Sequence, residues 1–487
     1  MEQERRESQL RRRVFLAAAG ARAAGNKVAK PVLERPIARR IESLEGDYPA
    51  IANSSWGAQF LHLASQKSVF ARNERHTFVP ASNTKLYTAA LALHRLGAAH
   101  RFTTRLLASR PLDARGGLNG DLVLLGGGDP ALSLDGLREM ATAARASGLR
   151  RVAGSVVGDD SLYPWEPYGT GWAQDDTRHH YGAPVSALVL EQNRMVAILS
   201  GSEAGGEAAV SLRPALPYFS VHSRVRARTG SQQRPELRRA TGSRQLEIWG
   251  TVPPRESALL DVAVEDPAHW SAWCLRETLL EQGIAVDGGV EVRHRAPSQD
   301  SWTEPPRGFE LARRESFPLA GLLRAMLKSS SNLYAEMLLR EIARSRGGAV
   351  TIDAALEQMS AFLLSAKIPG SDYAFIDGSG LSRLTLVSPA ATVKLLDHMH
   401  RSQWRDAWTD MLPVGGEDGT LEERFTSLAA GRVMGKTGTL AHVSSLAGYV
   451  DDSRGERYAF SVMINNANAP APDLRDFIDK IVGFVIE

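Results

Sequence analysis

The sequence predicts an α/β fold in which one helix-flanked sheet is assembled from both ends of the chain and interrupted by a long β-rich insert. Three observations carry this reading. Helical periodicity concentrates near the two ends, sheet-like segments adjoin both helical stretches, and the middle of the chain turns to short β-type runs between Gly-rich turns. At 487 residues the chain is too long for one ordinary domain. With 43% hydrophobic and 23% charged residues it has the composition of a globular protein. The expected division is a tail or export signal over 1–30, a split domain over 31–100 and 286–487, and an inserted β-rich region over 101–285.

Taken in order, a helical pattern runs to Leu44 and is stopped by Gly46, and extended segments from Trp56 to Phe70 read as a hairpin. The run from Val79 to Tyr87 then opens a helix with Leu86, Ala89, Ala90, Leu93 and Leu96 on its apolar face and Gly97 as its stop. From about residue 100 to 285 the segments are short and extended, such as Gly120 to Leu125, with turns such as Gly126-Gly127-Gly128-Asp129-Pro130. Helical spacing returns from Leu319 to Arg340 and from Ile352 to Ala366. The C-terminal part reads as strands over Arg432 to Gly438, Ser444 to Val450 and Tyr458 to Asn465, followed by a helix from Leu474 to Val485.

Several function classes are excluded early. A net charge of +3 with dispersed basic residues makes nucleic acid a poor partner. No run approaches the roughly 20 apolar residues of a spanning helix, so none is expected. Arg11-Arg12-Arg13 before Val14-Phe15-Leu16 and an Ala-rich stretch resembles an export signal, with Arg12 and Arg13 shaped like a twin-arginine core; a disordered Arg-rich tail is the alternative. The single cysteine, Cys274, reads as a buried small hydrophobe. His179-His180 has no partner at metal-like spacing, and Gly126 to Gly128 is a turn with no phosphate-loop lysine behind it. No metal or cofactor is expected.

Three motifs occur once each and in order: Ser82-Asn83-Thr84-Lys85, Ser330-Ser331-Asn332 and Lys436-Thr437-Gly438. Singly each is weak. Ser82 alone could be a helix cap, Ser330 and Asn332 polar positions at a helix start, and Lys-Thr-Gly a strand end. Together they match the active-site set of penicillin-binding proteins and serine β-lactamases. Lysines are also scarce, nine against 49 arginines, so one inside a motif is less readily surface filler.

The chemistry explains the residue types. A serine hydroxyl is a weak nucleophile that needs a base beside it, and a lysine can serve only if its pKa falls toward neutrality. Burial and a second cation both lower it, with Lys436 the candidate cation. Ser82 and Lys85 are three apart in a helix's first turn and so share a face. In this reading Ser330 relays a proton to the leaving nitrogen and Asn332 holds the substrate amide. Lys436 and Thr437 take the terminal carboxylate, beside Gly438, and the backbone N–H groups of Ser82 and Thr439 form the oxyanion hole.

Further stretches sharpen the match: Gly126 to Pro130, Val157-Gly158-Asp159-Asp160-Ser161, Tyr181 to Leu188, Asp377-Gly378-Ser379-Gly380-Leu381-Ser382-Arg383, and Leu412 to Leu421. With these the chain, from about 50 to 470, resembles the class C low-molecular-mass penicillin-binding proteins, the D-Ala-D-Ala carboxypeptidase/endopeptidase family. The resemblance implies a penicillin-binding/β-lactamase-type catalytic domain, an antiparallel sheet flanked by helices, with two mostly β domains between the first and second motifs. The 248-residue step from Ser82 to Ser330 fits it. Ser331 departs from the Asp often found there, at a tolerant position. The implied activity is a serine-type D-alanyl-D-alanine carboxypeptidase, with endopeptidase action on cross-links, that takes peptidoglycan peptides as substrate, is acylated by β-lactams, and works in the periplasm or outside the cell. Arg383 and Asp175 are candidates to bind the carboxylate and the amine of a diamino acid side chain in the substrate. The competing readings are a β-lactamase or esterase on the same fold, and a noncatalytic wall-binding protein.

Overall fold

The computed structural model describes residues 34–230, 233–240, 242–298, 308–347 and 350–487. The expected export segment at Arg11 to Ala23 lies outside the described residues.

The chain's two ends build one antiparallel sheet. Its strands lie in the order Val433–Leu440, Val443–Asp451, Arg457–Asn465, Ser55–His62 and Lys67–Arg72. The strand Val443–Asp451 is buried on both faces, and its alternating side chains divide between two cores. Leu446 and Val450 point into a core shared with Ile41, Trp56, Phe477 and Ile481, from the helices Glu34–Gly46 and Ala471–Ile486 and the sheet's first strand. Ala447 and Tyr449 point the other way, into a core built by the helices Thr84–Leu96, Leu319–Ser329, Asn332–Arg344, Ile352–Ser365 and Pro389–Arg401. The result is three layers, helix, sheet and helix.

Sequence periodicity carries one helix through from Leu319 to Arg340, and the structure breaks it. The helix Leu319–Ser329 stops at Ser330, whose φ of 62° is left-handed, and a new helix begins at Asn332. A non-glycine residue held there stores backbone strain. Ser330 and Asn332 thereby leave one continuous face and stand at the junction of two helices.

The insert is less purely β than its sequence suggests. Its main sheet runs Val290–Arg295, Val156–Pro164, Leu122–Leu125, Thr103–Ala108, Phe309–Glu315, and two of its pairings are parallel. Parallel pairing needs crossovers, and the helices Leu134–Ala146 and Pro267–Glu281 cover this sheet. Cys274 is buried on the second of them. Three three-stranded sheets complete the insert.

Strand pairing also moves the boundary of the insert. The sequence sets the return at residue 286, yet Val290–Arg295 and Phe309–Glu315 pair inside the inserted sheet. Entry and exit strands lie side by side, with Ser316 N–H donating to Phe102 O at 2.9 Å and Phe102 N–H to Ser316 Oγ at 3.0 Å. The chain thus leaves at Phe102 and returns at Ser316, so the parent domain is interrupted at a single point. No helix among the described residues is long and apolar enough to cross a membrane.

Candidate active site

Ser82 lies in a 3-10 turn, Ala81–Asn83, that leads into the helix Thr84–Leu96. Ala81 is left-handed, with φ 48°. The turn is wedged between two glycines. A Cβ on Gly380 would stand 1.9 Å from Ala81 O, and one on Gly438 would stand 2.6 Å from Pro80 O, so both neighbours can approach only as glycine. Ser445 Oγ adds a hydrogen bond to Pro80 O at 2.7 Å.

Lys85 is fully buried behind this turn. Its Nζ donates to Ser82 Oγ at 2.8 Å, to Asn332 Oδ1 at 2.5 Å and to Ser379 O at 2.8 Å. Three acceptors match the three protons of an ammonium. Once one proton leaves, the lone pair must face a donor. Neither Asn332 Oδ1 nor the Ser379 carbonyl can donate, so the lone pair can face only the Ser82 hydroxyl. Burial lowers the Lys85 pKa to about 7, while the nearby Asp377 and Glu336 pull it upward.

Burial is the largest cause of the fall in Lys85, and the repulsion between the two lysines falls mainly on Lys436. Lys436 is itself buried and held well below the usual lysine range, by burial first and then by the charge of Lys85. Its Nζ donates to Thr437 O at 2.8 Å, on the strand Val433–Leu440 at the edge of the sheet. Thr437 Oγ1 donates to Thr420 Oγ1 at 2.8 Å, and Thr439 is exposed at the same edge.

Asn332 joins the lobes. While its Oδ1 accepts from Lys85, its Nδ2 donates to Tyr181 O of the insert at 2.7 Å, which leaves one amide hydrogen free. Trp172 Nε1 donates to Asp377 Oδ2 at 3.4 Å, so the insert's 165–182 loop leans on the 377–383 loop. Ser330 stands half-buried at the helix junction. Arg383 is exposed, with Nη2 donating to Ala441 O at 2.9 Å, just past the Lys436 strand. Asp175 is exposed on the 165–182 loop, close enough to Tyr181 that its charge raises the tyrosine's pKa, after burial and Asp176. His180 pairs with Asp261 at 3.1 Å.

Motif reading missed several groups around the site. Thr420, Ser379 and Tyr181 sit in stretches quoted above for the resemblance, without a role of their own. Lys328 and Asp418 clamp the helix before Ser330 to the loop before the last motif, with Nζ to the carboxylate at 2.5 and 2.6 Å and to Leu412 O at 2.6 Å. Glu336, discussed below, gave no signal beyond lying four residues after Asn332.

A serine and a neutralisable lysine at a helix start, a second buried lysine on the sheet edge, and a Ser-x-Asn turn between them define an active-site-serine acyl-transfer enzyme of the penicillin-binding type. The chain belongs to the D-Ala-D-Ala carboxypeptidase 3 (S13) family, whose profile matches residues 37–486, and is a serine-type peptidase. It is 33% identical to a D-alanyl-D-alanine carboxypeptidase of Actinomadura sp. (strain R39), across 91% of this chain and 85% of that one. It is 26% identical to the D-alanyl-D-alanine carboxypeptidase DacB of Haemophilus influenzae, across 82% and 83%. Among solved structures, penicillin binding protein 4 (dacB) from Haemophilus influenzae shares the fold, with a TM-score of 0.79, 24% identity, and 92% and 99% of the two chains covered. A second structure of that protein is complexed with a novel β-lactam, at a TM-score of 0.75, 23% identity, and 92% and 99% coverage.

Proposed function

We propose that this chain removes the terminal D-alanine from peptidoglycan stem peptides through an acyl-enzyme on Ser82. The observation that carries the reading is the Lys85 hydrogen-bond set, in which only Ser82 can face the lysine's lone pair. Neutral Lys85 takes the Ser82 proton as Oγ attacks the penultimate carbonyl. The C–N bond then breaks as Ser330 relays the proton held by Lys85 to the departing D-alanine amine, which leaves Lys85 neutral, and water hydrolyses the Ser82 ester. The N–H groups of Ser82 and Thr439 hold the oxyanion, and one such donor is worth about 3 kcal/mol of barrier. Asn332 uses its free amide hydrogen for the substrate's peptide carbonyl. Lys436, Thr437 and Gly438 line the seat of the terminal carboxylate.

The same steps cut a cross-link, because its leaving amine also stands beside a carboxylate. A β-lactam carries the strained amide and the carboxylate in that geometry, so it acylates Ser82. Arg383 and Asp175 face the side chain next to the scissile bond, Arg383 suited to a carboxylate by its bidentate fork and Asp175 to an amine. The substrate lies outside the cytoplasm, which together with the Arg12-Arg13 run supports an exported protein.

One experiment tests the core. Intact mass after incubation with a labelled penicillin should rise by one adduct per chain, located at Ser82 and absent in Ser82→Ala. In intact cells a membrane-impermeant labelled β-lactam should reach the same residue. An adduct that survives Ser82→Ala defeats the assignment, and labelling only after lysis defeats export.

A further inference from the structure

The helix Asn332–Arg344 presents three polar residues one turn apart, Asn332, Glu336 and Arg340, along one face. Asn332 touches Lys85 directly. Glu336 is 1% exposed, although glutamate is among the residues least often buried without a purpose. Its Oε1 accepts from Gly378 N–H at 3.0 Å and from Ser379 N–H at 2.9 Å. The carbonyl of that same Ser379 accepts from Lys85 Nζ at 2.8 Å. One residue therefore separates the carboxylate from the lysine.

We propose that Glu336 is a positioning residue for the Ser82–Lys85 pair: it holds the Ser379 carbonyl on Lys85 Nζ and sets a negative charge behind the lysine. This rests on the acyl-enzyme reading above. Within the 377–383 loop, the N–H groups of Gly378 and Ser379 are the ones that Glu336 anchors, while Asp377 takes those of Gly380 and Ser382. A Cβ on Gly378 would stand 2.8 Å from Leu339 Cδ1, so the loop lies directly against the Glu336 helix.

The charges facing Glu336 come from each packed element. Asp377 lies on the loop, and its own oxygens accept from Gly380 N–H at 3.1 Å, Ser382 N–H at 2.8 Å and Thr385 Oγ1 at 2.8 Å. Arg340 on the same helix pairs with Glu336 at 3.8 Å and donates to Glu166 O of the insert at 2.8 Å. Lys85 stands beyond the Ser379 carbonyl, with Lys436 beside it. Burial and then Asp377 raise the Glu336 carboxyl to about 7, against the opposing Arg340, so its charge changes in the same range as that of Lys85. An anionic Glu336 favours the protonated lysine, and a neutral one releases it.

Two variants of the full chain test this, read by the rate of Ser82 acylation with a chromogenic cephalosporin across pH 5 to 9. Glu336→Ala removes the anchor and should slow acylation at least about tenfold, as misplacement near a catalytic group does. Glu336→Gln keeps an acceptor for both N–H groups but loses the charge. Its acid limb should move to lower pH by about one unit, since Lys85 then loses its proton more readily. Glu336→Ala acylating at the parental rate, or a Glu336→Gln limb that stays in place, overturns the proposal. If the alanine variant does not fold, the glutamine profile decides alone. A parental chain that takes no label at Ser82 would instead remove the acyl-enzyme reading, so the two failures are distinct.

Discussion

Two pairs of buried charged residues, one in each lobe, are handled in opposite ways. In the inserted lobe, Asp159 and Asp160 are 0% and 2% exposed, and each has a cationic partner, Arg293 at 2.7 Å and His294 at 2.9 Å. In the catalytic lobe, Lys85 and Lys436 are fully buried, and no carboxylate among the described residues comes within ion-pair distance of either. A buried charge without a partner is expensive, and a lysine so placed relieves the cost by losing its proton. A paired site locks structure, whereas an unpaired lysine at this depth is held ready to take a proton. The chain uses its few lysines accordingly: two of nine occupy these positions.

The largest way to break that comparison is to give Lys85 a charge it cannot shed. Lys85→Ala should slow acylation by about 10²–10⁴-fold, the usual contribution of a general base. Lys85→Arg should fail nearly as badly, because a guanidinium keeps its proton throughout this range. The pH dependence follows from the same group. With the neutral amine as the proposed working form and Lys85 lowered to about 7, acylation should rise with pH through about 7 and be lost below it. A pH-rate profile of acylation checks this; a fully active arginine variant would show that Lys85 does not abstract the proton.

How much of this was legible depends on the distance over which each feature is encoded. Ser82 to Lys85, Ser330 to Asn332 and Lys436 to Gly438 are contiguous, and their residue types follow from chemistry, so the candidate site could be read directly. The central sheet was legible too, since Ser444 to Val450 and Tyr458 to Asn465 are short, mostly apolar runs without charge or proline. The break at Ser330 was not, because Leu319 to Arg340 keeps its helical period across it and only tertiary contacts hold the left-handed residue. The insert's return was not either, because the pairing of Phe309–Glu315 with Thr103–Ala108 joins strands about two hundred residues apart. Glu336 reads as a polar position on an amphipathic helix. Its burial becomes visible only when the 377–383 loop folds over it.

A sharper test of the boundary between the lobes uses substrate choice. If the exposed Arg383 and Asp175 read the substrate side chain, Arg383→Ala or Asp175→Ala should lower kcat/KM about tenfold for a peptide ending in a free zwitterionic diamino acid, the scale of one charged contact. An acetylated analogue should lose much less in Asp175→Ala, because it no longer offers an amine. Equal losses on both peptides in Asp175→Ala would make Asp175 a support of the 165–182 loop. An equal loss in Arg383→Ala on a peptide with the diamino acid's carboxylate amidated would make Arg383 a support of the 377–383 loop.

The smallest effect concerns the insert alone. Burial pushes the His294 pKa down, but hydrogen bonds and charge from Asp160 and Asp266 outweigh it and raise the group to about 10. Its partners differ: Asp160 is raised because burial dominates, whereas Asp266 is lowered by its contacts with His294 and with His269 N–H despite its own burial. His294 Nδ1 lies 2.9 Å from Asp160 and its Nε2 3.6 Å from Asp266, and Trp165 stacks on the ring at 4.2 Å. A base whose pKa is raised on folding contributes stability fully below its unfolded value, near 6.5, and loses it as pH climbs through the folded one. The contribution should therefore be intact at pH 6, decline across pH 6.5 to 10, and be absent above that window. His294→Gln should lower the Tm of the full chain by a few degrees at pH 6 and by much less at pH 10, with acylation of Ser82 unchanged at pH 8. Thermal unfolding across that range reads it directly. A difference in Tm that is the same at both pH values would mean that His294 contributes packing against Trp165 and no charge.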